Sequence, residues 1–130
     1  MADFNKHLKV GAAVGGGSVL LIDFGIQISK INQGLQDKFN WEELLKYVLV
    51  GTIGGGFCGI LPDLLEPATS PFHRQFFHSG TTASICVYSL LKLQDSNLDQ
   101  DTKNLLTSSG FGYISHLVLD LKTPMGLPFI

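Results

Sequence analysis

Charge is scarce in this chain. Of 130 residues only 9 are Lys or Arg and 11 are Asp or Glu, a formal net charge of −2. A nucleic-acid binder carries a basic stripe, and no basic stripe or basic–aromatic alternation is present. Cysteine is scarcer still. Cys58 and Cys86 stand far apart in apolar surroundings with no Cys-x-x-Cys, which reads as two buried free thiols rather than a disulfide or a metal pair. No alternation of period two marks a strand. The apolar run that begins near Val10 lacks a small-residue cleavage site and continues as a long Gly-rich helix, so it does not read as a cleaved signal peptide.

What is abundant is apolar surface, 45% of the residues. With so few charges, that composition describes either a membrane-associated chain or an unusually apolar bundle. A length of 130 residues suits one domain, spanning 1–130.

The pattern predicts an all-α fold of about four helices. The first covers 5–31, with Asp3 or Asn5 as its cap and Gly34 beyond its end. The second covers 41–61, opened by Asn40 and stopped by Pro62. A third covers 79–94, capped by Ser79, and a fourth runs from about 102 to 121 after the polar loop 95–101. Residues 122–130, with Pro124, Gly126 and Pro128, are expected to be irregular. The first two helices approach the roughly 20 apolar residues that a membrane span requires. The third is too short for a comfortable span.

Glycine recurs at helical spacing in the first two helices, as Gly11 and Gly15 and as Gly51, Gly55 and Gly59. Such repeats let two backbones approach closely, as in membrane helix pairs, either within the chain or in a homo-oligomer. A phosphate-binding loop fits less well, because no Gly-Lys-Ser/Thr follows and no strand precedes.

All four histidines sit in motifs that suit a metal. His7 opens the first helix; Leu61–Ser79 holds Asp63, Glu66, His73, Arg74 and His78; His116 and Asp120 lie four apart near the end of the fourth helix. Imidazoles and carboxylates are the ligands of borderline-to-hard divalent metals: zinc first, with manganese or magnesium as alternatives. In an up-and-down bundle, the start of helix one, the connection between helices two and three, and the end of helix four fall at the same end. The candidate metal ligands His7, Asp63, His73, His78, His116 and Asp120 therefore converge.

Each motif also has a plainer reading. His116 and Asp120 share a helical face and would make a surface ion pair. Asp63 beside Pro62 suits a turn. His73 and His78, five apart, reach one point only if the third helix begins between them. Glu66 would accept a proton from an activated water or sit exposed in a loop. Arg74 would steady developing negative charge or pair with Asp63 or Glu66. Ser79 reads as a helix cap rather than a nucleophile, and Asp23 as polar glue or a turn feature within an apolar helix, with no chemistry assigned to it.

Taken in order, the motifs resemble those of the LexA-binding or YdjM family of inner-membrane-associated metal-dependent hydrolases. The resemblance rests on His7 with Gly11, Gly59-Ile-Leu-Pro-Asp63, His73-Arg74 with His78-Ser79, and Gly112-Tyr-Ile-Ser-His116 with Asp120 and Thr123-Pro-Met-Gly126. It spans nearly the whole chain. It implies a metal-dependent hydrolase in the bacterial or archaeal inner membrane, with a cytoplasmic bundle as the alternative. A metal-activated water would act on a small or lipid-like substrate such as a phosphoester, with Glu66 and Arg74 as the catalytic pair. One departure stands out. The family shows Pro-Asp-x-Asp, and Leu65 occupies the second acidic position. Loss of a ligand or base there favours a second reading, a non-catalytic membrane or assembly protein with a structural or degenerate metal site.

Overall fold

The structure is a computed structural model, and it describes residues 4–65 and 77–121. Four helices follow one another: α1 (Phe4–Asn32), α2 (Trp41–Leu65), α3 (Gly80–Gln94) and α4 (Gln100–Leu121). The all-α expectation holds. Asp3, Glu66, His73, Arg74 and residues 122–130, for which the sequence carries expectations, lie outside the described residues.

Local chemistry sets most of the boundaries. Gly34 takes φ +71°, a left-handed conformation that costs glycine little, while Leu35 N donates to Lys30 O at 2.8 Å and closes α1. Asn40 opens α2, its Oδ1 accepting from Glu43 N at 3.0 Å. Ser79 caps α3 through Thr82 N at 3.1 Å. Asp99 caps α4: its Oδ2 accepts from Thr102 N at 3.0 Å and its Oδ1 from the Thr102 hydroxyl at 2.7 Å. That cap starts α4 at Gln100, two residues earlier than sequence patterning places it.

The Thr102 hydroxyl and amide hold the exposed Asp99 carboxyl below its ordinary pKa. A lowered folded-state pKa stabilises above the unfolded value, and the contribution is lost as pH falls through the folded value. Asp99→Ala is therefore expected to lower the thermal midpoint at neutral pH. The gap from wild type should close in acid, as read from melting curves across pH; a gap that persists in acid would contradict this.

Pro62 does not stop α2, contrary to the sequence expectation. The helix runs through it to Leu65, and Pro62 is buried. Proline removes one helical donor and crowds the carbonyl four residues back, but in the last turn only that one bond is lost. In an apolar surrounding, a helix remains the way for residues 63–65 to satisfy their backbone. Asp63 is therefore a helical residue, not a loop residue.

α1, α2 and α4 pack on one another, while α3 packs on α4 alone. α1 and α2 run antiparallel in a fixed register. Each step of four along α1 meets a step of four back along α2, so that Gly11 faces Gly59, Gly15 faces Gly55, and Val19 faces Gly51. A Cβ added to Gly55 would lie 2.6 Å from Gly15 Cα. One added to Gly112 of α4 would lie 2.7 Å from Gly55 Cα, so three backbones meet at one level. The Gly11–Gly15 and Gly51–Gly55–Gly59 repeats thus pack on each other within the chain. Cys58 and Cys86 are free, as expected, but each is only partly buried rather than buried.

The polarity of the fold is inverted relative to a water-soluble domain. Buried among the described residues are His7, Asp23, Gln27, Asn104, Thr107, Ser108, His116 and Asp120, with few large apolar side chains. Leu21, Leu49, Ile53 and Phe57 point outward, each more than half exposed. An outside this apolar around a polar, small-residue interior matches lipid as the solvent. α1 and α2 are both long and apolar enough to cross a membrane. At the end away from the histidines, Gln27 ties α1 to the following turn. Its Nε2 donates to Asp23 Oδ2 at 2.7 Å and its Oε1 accepts from Asn40 N at 2.6 Å. Asp23 is buried within α1 and accepts from Gln27 one turn on.

Candidate metal centre

The glycine register carries the site at its end. One further step of four beyond Gly11 and Gly59 brings His7 level with Asp63. α4 supplies His116 and Asp120 on one face. His78 arrives from the turn before α3, where the Ser79 cap fixes the chain direction and Tyr113 Oη donates to Phe77 O at 2.6 Å. Four parts of the chain thus meet at one end of the bundle.

His78, His116 and Asp120 stand at ligand spacing, and so do His7, Asp63 and His116. His78 Nε2 lies 3.1 Å from His116 Nε2, 3.3 Å from Asp63 Oδ1 and 3.6 Å from Asp120 Oδ2. His116 Nε2 lies 3.6 Å from Asp63 Oδ1 and 3.4 Å from Asp120 Oδ2. A tetrahedral ion with bonds of about 2.0–2.1 Å separates its ligand atoms by about 3.3 Å. The cluster therefore has the dimensions of a metal site.

The tautomer of His116 is fixed. Its Nδ1 lies 2.7 Å from Gly59 O, a carbonyl that can only accept, so Nδ1 carries the proton. Nε2 is the nitrogen that faces His78. This is the arrangement by which protein carbonyls orient metal-bound imidazoles. Gly59 is also adjacent to Cys58, whose carbonyl loses its helical donor to Pro62. Neither ring nitrogen of His7 has a hydrogen-bond partner, although the residue is fully buried. Its ring stacks on His116 with centroids 3.7 Å apart, and its Nε2 is 3.5 Å from Asp120 Oδ1.

Of the six residues the sequence nominates as ligands, five come together here; His73 lies outside the described residues. Asp63 is the one with exposed surface, 15% of its side chain, against none for His7, His78, His116 and Asp120. The cluster therefore opens on the Asp63 side. Sequence reasoning missed Tyr113 and Gly59 as positioning groups. Tyr113 lay in plain view one turn before His116, but its partner is a backbone carbonyl that no motif records.

Leu65 also reads differently in place. Two residues past Asp63 on a helix is the far side, and Leu65 is 46% exposed. An aspartate at that position would not share a face with Asp63.

A family model described as "YdjM inner membrane protein" matches residues 2–130. No curated protein and no solved structure matches the chain.

Proposed function

The chain belongs to the YdjM inner membrane protein family, and on that premise we propose that it is a membrane-embedded, metal-dependent hydrolase of phosphoesters. The observation that carries this is the facing pair of imidazole nitrogens, His78 Nε2 and His116 Nε2, 3.1 Å apart beside two carboxylates. With the Nδ1 proton of His116 committed to Gly59 O, a cation between the rings accounts for the arrangement. Three imidazoles with two carboxylates favour zinc over manganese or magnesium.

A divalent metal, when bound, supplies Lewis acidity and brings the pKa of a water to about 7. The protein's own groups do the rest. Gly59 O holds His116 in one tautomer, and burial excludes bulk water from His7, His78 and Asp120. Asp63, at the open side, stands where substrate arrives. Glu66 and Arg74 follow it in sequence, as proton acceptor and as partner for phosphate oxygens. A groove of about 290 Å³ between α1 and α4, lined by Val10, Val14, Phe111, Ile114 and Val118, runs beside the site on the lipid side and suits the hydrocarbon of an amphiphilic substrate.

The test is hydrolysis by the full chain in detergent. A phospholipid or lipid phosphate should be cleaved in a zinc-dependent way and faster than a water-soluble aryl phosphate, with the rate falling to background after chelation. Chelator-insensitive cleavage, or none of any phosphoester, would count against the reading. The complete burial of four of the five ligands supports one alternative, a structural metal in a non-catalytic membrane or assembly protein. In that case the metal would show four protein ligands and no coordinated water by X-ray absorption.

A further inference from the structure

We propose that the cluster holds two divalent metal ions, with the Asp120 carboxylate bridging them. The proposal rests on the metal-centre reading above and goes beyond it in the number of ions and in the role of His7.

The two oxygens of Asp120 face different imidazoles. Oδ2 stands 3.4 Å from His116 Nε2 and 3.6 Å from His78 Nε2; Oδ1 stands 3.5 Å from His7 Nε2. All three separations match the edge of a tetrahedral site. A carboxylate divided in this way joins two centres. The first is built from His78, His116 and Asp120 Oδ2. The second is built from His7 and Asp120 Oδ1, with Asp63 also close: His7, Asp63 and His116 offer atoms all within 4.8 Å of one another.

The stacking of His7 on His116 argues against one shared ion. An imidazole lone pair lies in the plane of its ring. These two rings are inclined by only 24° at 3.7 Å, so their planes do not meet at bonding distance from both nitrogens. An ion in the plane of one ring lies out of the plane of the other, so the two rings serve two ions. A single ion held by His78 and His116 would leave His7 fully buried with neither nitrogen bonded, a costly arrangement in an apolar surrounding. A second ion removes that cost.

Charge points to the same substrate class. Two carboxylates, Asp63 and Asp120, offset one dication. The charge of the second is left to attract an anion, as a phosphoester would provide.

The test counts metal and reads its coupling. The full chain, purified in detergent without chelator and loaded with zinc, is expected to retain two ions per chain by elemental analysis. His7→Phe keeps a stacked ring but no ligand, and should retain one. Loaded with manganese, wild type should give the multiline electron paramagnetic resonance of a coupled pair, and His7→Phe the six-line signal of an isolated ion. One ion per chain in wild type with a six-line signal would overturn the proposal and leave the metal-centre reading standing. Two ions retained by His7→Phe would also overturn it. No metal in wild type would overturn both.

Discussion

Alanine at Gly55 is expected to leave little folded protein in detergent, while alanine at Gly17 is expected to be tolerated. A Cβ at Gly55 would meet the backbone of Gly15 on α1, with Cα at 2.6 Å and N at 3.0 Å. Backbone atoms cannot rotate away as a side chain can, so the helices must separate. Overpacking of a tight interior costs about 1–3 kcal/mol and more where nothing yields. Here the separation would also disturb α4, because Gly112 packs on the same residue. At Gly17 a new Cβ meets nothing within 4 Å, and alanine there should gain up to about 1 kcal/mol in helix propensity. Thermal unfolding followed by circular dichroism separates the two. Equal midpoints would refute the close packing of α1 on α2.

The second large effect is expected at His116. His116→Ala removes the Nε2 that faces His78, Asp63 and Asp120 and the Nδ1–H held by Gly59 O. Bound zinc should fall at least tenfold relative to wild type by elemental analysis. A metal that binds only the folded state stabilises it by about 2.7 kcal/mol at a free concentration one hundred times Kd. Chelation should therefore lower the thermal midpoint of wild type and leave that of His116→Ala unchanged. A variant that melts lower on chelation, as wild type does, would show that the metal is held elsewhere.

The convergence of ligands was legible in the sequence because helix count alone decides which ends of an antiparallel bundle lie together. His7, Asp63, His78, His116 and Asp120 needed only four helices and short-range spacing to be placed at one end. The path of α2 was not legible. Pro62 is a reliable stop signal in water, where the chain beyond it can bond to solvent, and the apolar surrounding changes that balance. The same stop signal put Asp63 in a loop, where the structure has it on the last turn of α2. The partner of the glycine repeats was also hidden. Spacing shows that Gly11, Gly15, Gly51, Gly55 and Gly59 line faces, but only the register shows that these faces meet each other. Gly112 gave no periodic signal at all, since its close contact is with a glycine of another helix.

The level at which Gly15, Gly55 and Gly112 meet divides the interior in two. Toward one end lie His7, Asp63, His116 and Asp120; toward the other lie Asp23, Gln27, Asn104 and Thr107. There backbone lies against backbone, with Gly55 touching both Gly15 and Gly112. The glycines therefore act as a partition: a layer of backbone contact stands between the histidine–carboxylate cluster and the polar group around Asp23 and Gln27.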